Sequence, residues 1–218
     1  MAAKTYFISF ILILINTQIF AKSFGQAEQQ QLLEWTQENE SNLIEQYPIV
    51  HSKWFEKACL DLTKVLQFKE IVTCQLFDSK QVNAYVFNNG HVYFSTALMK
   101  LIRNKHQWAS ILAHENAHIE LQHYLKTVRK INHPGLFFPK KRIKKLLKKH
   151  EQEADDWSEK QLKKMGFYPR QIGFFLKRVQ NNKNIKTKNQ HLKISKRIHK
   201  STFDEIIDED LIKQINSL

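Results

Sequence analysis

Cysteine is nearly absent. Cys59 and Cys74 are the only two in 218 residues, and with no C-x-x-C pair nothing suggests a cysteine-bound zinc. Joined, they would close a loop of about 15 residues and stabilise the fold by about 3 kcal/mol in the chain-entropy picture. Left reduced, they would pack as small apolar side chains, and composition leaves both states open. No cysteine stands close to the N-terminal apolar run, which argues against a lipoprotein anchor. Long apolar runs are also lacking: none beyond the N-terminus approaches the roughly 20 residues that cross a bilayer. There is no internal repeat.

The one apolar stretch lies at the start. Lys4 precedes Tyr6–Ile15, Asn16-Thr17-Gln18 interrupts the run, and Ala21 ends it with a small residue, the pattern of a secretory leader. The expectation is a leader over residues 1–21 cleaved before Lys22, with an uncleaved anchor as the alternative. Residues 22–218 then form a single domain: N-terminal helices over 22–70, a core over 71–200 and a C-terminal helix over 201–218. The expected location is periplasmic or otherwise exported, peripheral to a membrane if the basic surface meets one.

Charge is one-sided, with 34 Lys and Arg against 21 Asp and Glu and a net +13, which favours partners with negative surfaces. Its densest patch is Lys140-Lys141-Arg142, Lys144-Lys145 and Lys148-Lys149. An anionic membrane surface would suit this patch, and a solvated helix face is the plainer reading. No nucleic-acid-binding motif accompanies the charge, so nucleic acid is not an expected partner.

What the chain does have is His114-Glu115-Asn116-Ala117-His118, followed by Glu151-Gln152-Glu153-Ala154-Asp155. Residues four apart share a helix face, so His114 and His118 can turn one ring nitrogen each to a single zinc ion. Glu115 would stand beside the metal as the base that takes a proton from water. Glu151, expected to open a second helix, is the candidate third ligand. Asp155, one turn on, is placed to hold a ligand imidazole by its other nitrogen, assigned here to His114. Ile111, His114, His118, Leu121, Leu125 and Val128 form one stripe of a helix expected over about 106–129, which turns the histidines inward. The cofactor expected is one zinc per chain.

These motifs resemble the zinc metallopeptidases that include HtpX and the CAAX prenyl proteases, a gluzincin family, and within it the soluble periplasmic BepA-like branch. The resemblance covers about residues 81–200. Asn83-Ala84-Tyr85 and Gly90-His91-Val92-Tyr93 match two of the family's strands, His123 its further histidine, and Gly166-Phe167-Tyr168-Pro169 its turn. It implies a mostly helical α+β fold, a zincin-like metalloprotease domain with a small antiparallel sheet beside the metal helix. It further implies that Asn83 and Ala84 bind an extended substrate and that Arg197 lines the active site near the oxyanion. His191 would approach the metal's open position as a fourth ligand or gate. Leu192 replaces the family's usual proline there, Asn116 stands where an apolar residue is usual, and Asp156 where arginine is usual.

Two functions follow as expectations. One is a zinc endopeptidase that removes misfolded or stalled envelope proteins. The other is a chaperone-like binding module for such proteins in which zinc is structural and His191 completes its shell. A structural site has no need of Glu115, which favours the enzyme.

Overall fold

The computed structural model describes residues 3–133, 139–181 and 204–218, with side chains described from residue 25 onward in the first segment and from 140 in the second. The expected leader boundary at Lys22 therefore falls outside the described side chains, and His191, Leu192 and Arg197 lie outside the described residues altogether. Helix α1 (Ala3–Gln46) is followed by β1 (Ile49–Val50), α2 (Lys53–Val65), β2 (Thr73–Phe77), β3 (Ala84–Val86) and β4 (His91–Ser95). Then come α3 (Thr96–Met99), α4 (Lys105–Glu120), α5 (His123–Asn132) and α6 (Pro139–Lys164). A 3₁₀ turn (Pro169–Gln171) leads into α7 (Ile172–Asn181), and α8 (Glu209–Asn216) is the last described helix.

The α+β class is as expected, but the sheet is mixed and not wholly antiparallel. Its strand order is β1-β2-β4-β3. β3 and β4 form the hairpin that Asn88-Asn89-Gly90 requires, with Ala84 opposite Phe94 and Val86 opposite Val92. β4 then inserts between β3 and β2, so it runs parallel to β2 from Thr73–His91 to Phe77–Ser95. Gly90 makes the turn possible: its φ is +84°, and a Cβ there would lie 2.0 Å from the Glu70 carbonyl oxygen.

Side-chain caps set the helix starts. Ser52 accepts from Phe55 N to open α2, Ser95 from Leu98 N to open α3, and Asn104 from Gln107 N at 3.0 Å to open α4. Helix α4 is central, buried along nearly its whole length and packed against β3, α6 and α7. Trp108 on α4 stacks on Phe55 at 5.3 Å, and Phe55 meets Phe94 edge-on at 5.8 Å, which ties α2 and the sheet to this helix. Helix α1 is held from outside. Its Glu28 pairs with Arg129 Nε at 2.6 Å. Its Glu40 accepts from Tyr93 Oη at 2.7 Å and meets His91 Nδ1 at 2.6 Å.

Two expectations about helices are corrected. The metal helix does not run unbroken from 106 to 129. Gln122 takes a left-handed conformation, φ 53° and ψ 39°, and divides α4 from α5, so the stripe through Leu121, Leu125 and Val128 does not continue the face carrying His114 and His118. Nor does Glu151 open its helix. Pro139 does so, since a proline at the first helical position forfeits no hydrogen bond, and the basic run and Glu151 share one helix.

Cys59 on α2 and Cys74 on β2 are disulfide-bonded. Replacing both by serine is expected to lower the unfolding free energy by about 3 kcal/mol, because the closed loop restricts the unfolded chain. Urea denaturation without reductant measures this, and an unchanged midpoint would mean that the bridge contributes nothing.

Candidate metal centre

Helix α4 places His114 and His118 one turn apart, and α6 crosses it to bring in Glu151. His114 Nε2 and His118 Nε2 are 3.3 Å apart. Glu151 Oε2 lies 3.6 Å from His114 Nε2, and its other oxygen, Oε1, 3.7 Å from His118 Nε2. Ligand bonds of about 2.0–2.2 Å at tetrahedral angles put neighbouring donor atoms about 3.3–3.5 Å apart, so the three side chains, with one donor atom each within 4.8 Å of the others, are grouped as holders of one small dication. Two imidazoles and a carboxylate are also the donor set that leaves a catalytic zinc one open position. The histidines are 7% and 5% exposed, which keeps competing water scarce.

The outer ring nitrogens are engaged too. His114 Nδ1 lies 2.9 Å from Asp155 Oδ1, the contact expected from the sequence. His118 Nδ1 meets His123 Nδ1 at 3.1 Å. This second contact exists because of the break at Gln122: five residues along an unbroken helix would turn His123 about 140° away from His118. If His118 Nε2 held an ion, its Nδ1–H would donate to His123 Nδ1, which would fix the tautomer. Burial first, then the neighbouring His150 and Lys126, hold His123 down to about 4, so it is the neutral acceptor this contact needs.

Glu115 is buried at 9% exposure. Tyr124, which the sequence did not single out, stands close enough to Glu115 and Glu151 that burial first, and then these two carboxylates, raise its hydroxyl far above the ordinary range. Its Oη stays protonated and donates to the Val86 carbonyl at 2.8 Å. Asn116 projects away from the His114 face; it is fully buried, neither amide atom is hydrogen-bonded among the described residues, and nothing in them explains an amide there.

Asn83 and Ala84 lie at the β3 edge of the sheet, beside α4. Asn83 is paired inward, its carbonyl accepting from Ser95 N at 3.0 Å and its N–H donating to Ser95 Oγ at 3.0 Å. Phe87 N likewise bonds His91 O at 2.9 Å. The two-residue alternation of a strand then turns the N–H and C=O of Ala84 toward the outer edge.

A mostly helical α+β domain with a small sheet and two histidines on a central helix, faced by a glutamate from a second helix, is a zincin-like arrangement. The family model described as Peptidase family M48 matches residues 51–137, from α2 through α5 and across His114, Glu115 and His118. Over those residues the chain is similar to the M48 metallopeptidases. A search of curated proteins finds no match.

Proposed function

We propose that the chain is an exported zinc-dependent endopeptidase that cleaves misfolded or stalled cell-envelope proteins. The observation that carries this reading is the convergence of His114, His118 and Glu151 donor atoms within 3.3–3.7 Å, on the helix that also bears Glu115. Those three residues would hold zinc, which when bound supplies Lewis acidity to a scissile carbonyl and makes water a better proton donor. Glu115 takes the proton of the attacking water and returns it to the departing amine. Asp155 and His123 keep the two imidazoles in register. An extended substrate adds to the outer edge of β3, where Ala84 offers main-chain groups, so affinity comes largely without sequence choice. Arg197 steadies the oxyanion, and His191 gates the open position.

Export is supported by the leader pattern and by the Cys59–Cys74 bridge, which persists in oxidising compartments. Among the described residues no helix is long and apolar enough to cross a membrane. The seven cations between Lys140 and Lys149 are all exposed on α6, which suits an anionic membrane surface.

The test is cleavage of a reduced, unfolded exported protein by the purified chain, followed by gel electrophoresis and mass spectrometry. Chelation should stop the cleavage and stoichiometric zinc should restore it. Binding of the unfolded protein without any cut, at full zinc occupancy, would favour the chaperone-like reading and defeat this one.

A further inference from the structure

Behind the first centre lies a second group of ligand-type side chains. His123 on α5 and His150 and Glu153 on α6 bring one donor atom each to within 4.8 Å of one another. Both histidines are only 2% exposed. Their inner nitrogens are engaged, His123 Nδ1 with His118 at 3.1 Å and His150 Nδ1 with Thr127 Oγ1 at 3.5 Å. Among the described residues their Nε2 atoms have no hydrogen-bond partner. Glu153 Oε2 lies 3.4 Å from His123 Nε2, close to it but without the alignment of a hydrogen bond. Two buried imidazole nitrogens without a partner among the described residues, next to a carboxylate and with their opposite nitrogens held, are what a ligand set looks like before its ion arrives.

We infer that His123, His150 and Glu153 form a second site for a borderline transition-metal dication, weaker than the first and in competition with it. Imidazole and carboxylate donors suit zinc, copper or nickel better than calcium or magnesium. The site is weaker for two reasons. The His123 and His150 rings are stacked at 4.1 Å with their planes 7° apart, so they must tilt before both Nε2 lone pairs meet at one ion. In addition, Lys149 Nζ lies 3.3 Å from Glu153 Oε1 and repels a dication, whereas the first centre has Glu115, Glu151 and Asp155 around it.

The competition follows from counting protons. The single Nδ1–Nδ1 hydrogen bond between His118 and His123 carries one proton. When it sits on His118, the Nε2 of His118 is bare for the first ion and the proton of neutral His123 is on its Nε2. For His123 Nε2 to bind an ion, the bridging proton must sit on His123, and His118 then carries its own proton on Nε2. No proton is gained or lost in this exchange, but two neutral rings that keep this hydrogen bond cannot serve both ions, so a second ion is held only at the cost of that bond and therefore more weakly while the first is in place. The competition, though not the site itself, rests on the reading of His118 as a ligand.

The test is zinc binding by the intact chain, measured by calorimetry and by competition with a chromophoric chelator, with cobalt absorption as a report on coordination. The wild type should take one tight equivalent and one weaker one. His150→Phe, which keeps a flat ring in the stack, and Glu153→Gln, at a partly exposed position, should each keep the tight equivalent and weaken the second by at least about tenfold. Glu151→Ala should lose the tight equivalent and hold the second at least as strongly as the wild type does. A wild type with no second equivalent at millimolar zinc, or a second equivalent indifferent to both His150→Phe and Glu153→Gln, overturns the site. Second-site binding in Glu151→Ala that is weaker than in the wild type overturns the competition. Retention of the tight equivalent in Glu151→Ala would count against the first centre, so the two readings fail separately.

Discussion

Glu115→Gln is expected to leave zinc content at the wild-type level and to cut turnover of an unfolded substrate by about 10²–10⁴-fold, the usual contribution of a positioned general base. The substitution keeps the shape of the side chain and its place one residue after His114. It removes only the capacity to take up a proton. Because Glu115 is buried on a helix enclosed by β3, α6 and α7, solvent has little access to replace it. Burial without charge is also easier for an amide, so stability should not fall. The comparison separates two uses of one fold. If zinc only holds α4 to α6, the variant binds and behaves as the wild type does. If the chain is a peptidase, it binds substrate and metal and stops. Steady-state cleavage of a fluorogenic unfolded substrate, with metal analysis on the same samples, decides the matter. Activity within a few-fold of the wild type would end the assignment of Glu115 as the base.

The pieces of this centre differed in how far they could be read from the sequence, and the reasons are physical. His114, His118 and the Glu151–Asp155 pair are local patterns, fixed by helical spacing, and the structure brings them together as spaced. The β3–β4 hairpin was legible because Asn88-Asn89-Gly90 carries its turn chemistry in adjacent residues. The parallel pairing of β2 with β4 was not, since strand order depends on contacts between segments and no residue encodes it alone. The break after α4 was the costly omission. A glycine or proline would have marked it, but the left-handed residue is Gln122, an ordinary helix former held in that conformation by its surroundings. Without the break, His123 turns away from His118, and the group it forms with His150 and Glu153 on α6 has no signature in the chain. Pro139 did carry a start signal for α6, which the charge of the following run obscured.

The second large effect is expected from His118→Ala combined with Glu151→Ala, which should take tightly bound zinc from about one per chain to nearly none. Losing an outer partner of a metal ligand commonly weakens binding by about 10–100-fold, and removing two of three direct donors must cost more. Among the described residues no neighbour takes their place. Asp155 is committed to His114 Nδ1 at 2.9 Å, and His123 faces His118 through its inner nitrogen. The remaining donor, His114 Nε2, is one imidazole, and one imidazole does not hold zinc against a competing chelator. The fold should persist, because the packing that fixes α4 is carried by Trp108 and Leu112, which are buried within the main core, and by the Asn104 cap. Circular dichroism can establish that before the metal is measured. Dialysis against a moderate chelator then removes zinc held at weaker positions, the His123–His150–Glu153 group included, so that only the tight equivalent is counted. Full occupancy in the double variant, with native helicity, would mean that the zinc of this protein is bound elsewhere and that the 3.3–3.7 Å cluster is a set of buried polar contacts.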